Sequence, residues 1–155
     1  MSEPEPVLVS ACLLGRQCRY DGAENRDLVL EEQLRREGLR AVPFCPEEAG
    51  GLPTPRPPAW LSGGDAAAVL NGQATLVTDA GADVGAAFRS GAEQAVELCR
   101  AHGIRRAFLK ERSPSCGVCQ THRDGVRVEG PGVTAQALQR EGVRCEGIEG
   151  RRTAP

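Results

Sequence analysis

Residues 7–12, Val-Leu-Val-Ser-Ala-Cys, are a short apolar run rich in β-branched side chains, which predicts a buried strand ending at Cys12. A loop follows over 13–22, with Gly15 and Asp21-Gly22 as turn signals. Apolar spacing over 28–37 predicts a helix, with Asp27 as N-cap and Gly38 just past its end. Residues 39–44 return as a second strand that stops at Cys45-Pro46. Pro43 removes one ladder donor there and predicts fraying. Five prolines and two adjacent glycines over 46–60 predict a stiff loop without regular structure. Asn71-Gly72 between two short apolar runs predicts an inserted hairpin over 67–78.

The longest amphipathic stretch is 84–102, where Phe88, Ala92, Ala95, Val96 and Cys99 share one face at helical spacing. Asp83 is its expected cap and Gly103 its stop. Residues 104–109 are a third strand running into Lys-Glu-Arg-Ser-Pro-Ser-Cys-Gly at 110–117. A small hairpin turning at Asp124-Gly125, a helix over 134–141 and a last strand over 143–148 complete the chain, with 149–155 expected to be mobile. Strands alternating with helices predict an α/β fold: one Rossmann-like domain with an open, mainly parallel sheet flanked by helices and an inserted hairpin. Its ordered core is expected over about residues 7–148 of the 155, and that length fits one domain.

Composition narrows the function. Aromatic residues are only 3%, too few for a base-stacking platform, and a net charge of -2 gives no polyanion-binding surface. No apolar run is long enough for a membrane span. The N-terminal Met-Ser-Glu-Pro-Glu-Pro lacks the basic and apolar regions of a signal peptide, so the expected compartment is the cytoplasm. Seven cysteines in a reducing compartment point to metal binding or catalysis rather than a disulfide framework.

Three of those cysteines carry the argument. In a parallel sheet all strand C-termini lie on one edge, and ligands bind outside it. Cys12 and Cys45 end the first two strands, and Cys116 lies in the loop leaving the third. Three thiols from distant positions therefore converge. Such a set suits zinc or an iron–sulfur cluster, and spacing alone leaves both open. Cys99 and Cys145 read as small core residues, and His102 and His122 as surface histidines. Cys116-Gly-Val-Cys119 has the spacing of a redox pair, but the Gln-Thr-His-Arg-Asp-Gly that follows reads as turn rather than helix. Gly50-Gly51 lacks the lysine and helix start of a phosphate loop.

Five runs go further: residues 9–15 (Val-Ser-Ala-Cys-Leu-Leu-Gly), 18–22 (Cys-Arg-Tyr-Asp-Gly), 44–48 (Phe-Cys-Pro-Glu-Glu), 50–58 (Gly-Gly-Leu-Pro-Thr-Pro-Arg-Pro-Pro) and 110–117. Together they resemble the thiouracil desulfidase family, long catalogued as a domain of unknown function, over about residues 7–148. The resemblance implies a [4Fe-4S] cluster ligated by Cys12, Cys45 and Cys116. The fourth iron then lacks a protein ligand and takes the substrate sulfur. It implies Glu47 and Ser113 as catalytic residues and Cys18 as a non-ligand. The implied activity is non-redox removal of sulfur from a thiocarbonyl such as 2-thiouracil or a related thiolated nucleobase or nucleoside. The expected mechanism is attack of water on the carbon, with Glu47 moving the proton and Ser113 orienting the heterocycle or the water. Lys110, Arg112 and Arg19 are candidate cations for balancing charge. Trp60 stands where the family often has an acidic residue, and Cys119 and residues 120–122 also depart from it. These departures bear on the substrate rather than the cluster.

The expected partner is thus a small thiolated pyrimidine, with no nucleic-acid polymer and no membrane; oligomeric state is not legible. Two other functions compete. A zinc-stabilised binding module would be colourless with one zinc per chain. A closed-cluster sensor or carrier would need a fourth ligand and no substrate pocket.

Overall fold

The structure is a computed structural model and describes residues 3–153. Its main sheet has strand order β2-β1-β5-β8 and is parallel throughout. These strands are Leu39–Phe44 (β2), Glu5–Ser10 (β1), Arg106–Lys110 (β5) and Arg144–Ile148 (β8). Both faces are covered, and the pleat divides the side chains between them. Leu8, Ala107 and Leu109 pack toward helices Gly85–His102 (α4) and Val133–Arg140 (α5). Val7, Val9 and Phe108 face the other way, onto Leu30 and Leu34 of helix Leu28–Arg36 (α1). This is the mainly parallel α/β architecture read from the sequence.

Beside it lies a second, mixed sheet of order β4-β3-β6-β7. It comprises Ala59–Ser62 (β3), Thr75–Thr78 (β4), Gln120–Arg123 (β6) and Val126–Glu129 (β7). Leu61 and Leu76 bury its inner face against Phe88 and Ala92 of α4, so one long helix serves both sheets.

Several expectations hold in detail. Asp27 caps α1 by accepting the Leu30 N–H at 2.8 Å. Asp124 and Gly125 both have positive φ in the β6–β7 turn, the backbone a two-residue hairpin requires.

Others are corrected. The first strand stops at Ser10, and Cys12 sits in a 3-10 turn over Ala11–Leu14. Pro43 does not fray β2, which stays paired through Ser10 and Phe44. An edge strand has one row of N–H groups without a neighbour, so a missing donor is tolerated. The segment 46–60 is partly regular: Pro46, at the first helical position, opens the short helix Pro46–Ala49 (α2), and β3 starts directly after Pro58. Asn71-Gly72 is a helix stop rather than a hairpin turn. Asp65 accepts the Ala68 N–H at 2.9 Å and caps helix Ala66–Leu70 (α3), while Gly72 takes the left-handed conformation beyond it. The inserted antiparallel pair is β3–β4, joined through α3. Asp83 acts one residue early, accepting from Gly85 N at 2.9 Å and Thr75 Oγ1 at 2.6 Å. The tail is not free over 149–152. Arg152 O accepts the Leu28 N–H, Arg152 Nε donates to buried Asp27, and Arg151 N donates to Asn25 O. Residues 154 and 155 lie outside the described residues.

Candidate active site

Because the main sheet is parallel, β1, β2 and β5 all end on one edge. The chain leaves β1 toward β2 on one side and finds β5 on the other. Crevices at such a reversal hold ligands in open α/β sheets. A cavity of about 680 Å³ opens here, lined by Cys12, Cys18, Cys45 and Cys116 among others. The three cysteines expected to converge do so, joined by a fourth.

Each thiol has a distinct setting. Asn25 Nδ2 donates to Cys12 Sγ at 3.4 Å. The Cys18 and Cys45 sulfurs lie within 4.8 Å of each other, and Cys45 Sγ donates to the Cys18 carbonyl at 3.9 Å. The neighbouring Cys12 and Cys45 thiols, with burial, raise the Cys18 pKa. Cys18 in turn draws the Cys45 thiol down to about 7, helped by the Glu48 backbone N–H and Arg56 against burial and Glu47. Cys12 is lowered for the same first reason, with Asn25 and Lys110 assisting. Cys116 is 5% exposed and burial pushes it up, although a Ser10 hydrogen bond opposes this. Away from the cavity, burial raises Cys99 to about 11 and Cys145 to about 12, as expected of core thiols. Cys119 is exposed and does not line the cavity.

Glu47 projects from α2, two residues past Cys45. Its carboxylate is held at both oxygens. Arg56 Nε donates to Oε1 at 3.0 Å and Ser115 Oγ donates to Oε2 at 2.8 Å. Ser113 Oγ stands 3.5 Å from Oε2 and 3.0 Å from Ser115 Oγ. The structure therefore brings Glu47 and Ser113 together, with Ser115 as the nearer hydroxyl. Ser113 Oγ also accepts the N–H groups of Ser115 and Cys116, folding the loop that presents Cys116. Farther along, Glu111 Oε1 accepts three successive N–H groups, from Val118, Cys119 and Gln120, anchoring the loop's far end.

Sequence reasoning assigned no role to Arg56 or Ser115. Arg56 is nearly buried, and its other nitrogens donate to Pro53 O, Thr54 Oγ1 and Cys18 O. The guanidinium fork ties the Cys18 loop to the Glu47 helix. The only available signal was an arginine inside a proline-rich stretch. The three candidate cations differ in how free they are. Arg112 pairs with Glu149, and Arg19 with Asp21 and Asn25. Lys110, whose pKa burial lowers, lines the cavity, and among the described residues its ammonium donates to Glu111 O. Trp60 and His122 line the cavity too, so His122 is more than a surface residue.

Fold and site define an α/β protein with a thiol-lined crevice at the carboxyl edge of a parallel sheet and a clamped carboxylate beside it. Residues 7–148 match the model of the 2-thiouracil desulfurase family, and the chain belongs to that family. It is 38% identical over 143 residues to the uncharacterized protein YbbK of Bacillus subtilis (strain 168), covering 89% of this chain and 92% of that one. Among solved structures it is similar to the [4Fe-4S]-dependent thiouracil desulfidase TudS, with a TM-score of 0.80 and 45% identity. That match covers 94% of this chain and 91% of the other. Among the described residues no helix is long and apolar enough to cross a membrane.

Proposed function

We propose that this protein is an iron–sulfur-dependent desulfidase that converts the thiocarbonyl of a small thiolated pyrimidine, such as 2-thiouracil, to a carbonyl by water, releasing sulfide. Family membership and the likeness to a [4Fe-4S]-dependent thiouracil desulfidase support the reaction class. The observation that carries the site is that three thiols from three separate strand exits line the same cavity as Glu47 and Ser113.

The donor set fits the cluster: Cys12, Cys45 and Cys116 are soft sulfur ligands, and they would hold it. When bound, the cluster supplies an iron without a protein ligand, a Lewis acid with affinity for sulfur.

The remaining chemistry belongs to the chain. Glu47 takes a proton from the water that attacks the thiocarbonyl carbon and returns it to the departing sulfur or a ring nitrogen. C=S and H₂O thus become C=O and H₂S with no electron donor or acceptor. Arg56 and Ser115 fix the carboxylate's direction, so Glu47 acts from one rotamer. Ser113 receives or gives a hydrogen bond to the heterocycle or the water. Lys110 provides positive charge inside the cavity.

The test is anaerobic reconstitution with iron and sulfide analysis, followed by sulfide release from 2-thiouracil. About four irons per chain and turnover are expected; a colourless zinc protein, or a cluster without sulfide release, overturns the proposal. Glu47→Gln is expected to keep the cluster absorbance and lose about 10²–10⁴-fold in kcat, the range of a general acid–base group.

A further inference from the structure

The cavity contains one more thiol than the reaction needs. Cys18 is 2% exposed, and its loop is pinned by Arg56 Nη2 at 2.8 Å from the Cys18 carbonyl. Its sulfur, the Cys45 sulfur and a Glu48 carboxylate oxygen lie within 4.8 Å of one another. Cys12 lines the same cavity but stands outside this group. Among the described residues, Glu48 Oε1 is buried with no hydrogen-bond donor, and Arg16 Nη2 pairs with it at 2.9 Å. Cys116 is not a member of this group.

Two thiols and a carboxylate in one patch are three donors of a tetrahedral zinc site whose fourth position takes water. Zn–S bonds of about 2.3 Å put neighbouring sulfurs roughly 3.8 Å apart, so the group needs only a modest contraction. We infer that, in the chain without its cluster, Cys18, Cys45 and Glu48 bind a single thiophilic divalent cation such as Zn²⁺. Binding displaces thiol protons to solvent and moves no electrons. The site shares Cys45 with the proposed cluster and uses Cys18 and Glu48 in place of Cys12 and Cys116. One ion and the cluster therefore exclude each other. That exclusion rests on the cluster reading; the ion site itself does not.

The experiment uses the full-length, cluster-free chain under argon, titrated with Co²⁺ and then with Zn²⁺. One Co²⁺ per chain is expected, with thiolate-to-metal absorption and the visible bands of a tetrahedral ion, displaced by one Zn²⁺. Cys18→Ser is expected to weaken binding at least about tenfold, the lower end of what losing even an outer partner costs, and to reduce the thiolate absorption. After reconstitution the same variant keeps its iron. Cys116→Ser is expected to do the reverse, binding Co²⁺ like the wild type but failing to retain four irons. The inference is overturned if the wild type takes up no stoichiometric Co²⁺, if Cys18→Ser titrates like the wild type, or if Cys116→Ser abolishes binding. Should circular dichroism show Cys18→Ser unfolded, Glu48→Gln replaces it. Weaker binding and shifted visible bands are then expected, and a titration like the wild type's is the overturning result. Failure of the desulfidase reading looks different: the wild type holds no iron whatever cobalt does.

Discussion

Arg56 has four acceptors for its guanidinium, and two of them belong to different parts of the site, Glu47 and the Cys18 carbonyl. A lysine there keeps the charge but cannot hold both at once. Arg56→Lys is expected to lower kcat about 10–100-fold, as losing a hydrogen bond to a charged group of about 1.5–3 kcal/mol implies, while cluster content is retained. Steady-state kinetics beside iron analysis checks this. The thiols make a separate prediction. With its pKa near 7, Cys45 in the cluster-free chain is the thiolate above that pH and the thiol below it. Alkylation read by peptide mass spectrometry is expected to rise through about pH 7 at Cys45, while buried Cys99, at about 11, stays unreacted throughout. Equal labelling of both at neutral pH contradicts it. At this scale the sequence brought Cys12, Cys45 and Cys116 to one edge, because each lies in the segment that leaves a main-sheet strand. It hid the contacts of Arg56 and Ser115, because those depend on loop paths and rotamers that no local pattern encodes.

Helix α2 presents Cys45 and Glu47, yet it is too short to hold itself in place. It lies against α4 where glycines let two backbones approach. A Cβ on Gly91 would run into the Pro46 carbonyl oxygen, and one on Gly50 into the Ala87 carbonyl oxygen. Gly91→Ala is therefore expected to destabilise the fold by about 1–3 kcal/mol through overpacking, despite alanine's better helix propensity. It is also expected to lower iron retention by displacing Cys45. Urea denaturation and iron analysis together test this; unchanged stability would remove the role assigned to the close approach. Long, periodic elements such as α1, α4 and the main-sheet strands were legible because their own periodicity specifies them. Short ones were not. Asn71-Gly72 suits a hairpin turn and a helix stop equally, and Asp65 with the alanines after it decided for the helix. Pro46 reads as a breaker until its place at the start of α2 shows it to be an initiator.

Over the whole molecule, the chain's end returns to its beginning. Arg152 reaches Asp27, which is fully buried, and Glu149 pairs with Arg112 beside the cavity. Removing Arg152 leaves the Asp27 carboxylate buried with the Leu30 N–H as its remaining partner. Arg152→Ala is expected to cost about 1–3 kcal/mol by urea denaturation, the penalty for an under-satisfied buried group. A truly loose tail would show no change. The amphipathic pattern did not reveal this tie, because polar residues after the last strand look the same whether docked or free.

The parallel sheet that gathers the thiols also sets an order in time. β5 lies against β1, and Cys116 follows β5, so Cys116 joins Cys12 and Cys45 only when most of the polypeptide has been made. A nascent chain carries Cys12, Cys18 and Cys45 well before it carries Cys116. On the proposed cluster reading, loading of the inorganic core is therefore a late event, after the early thiols are already in place.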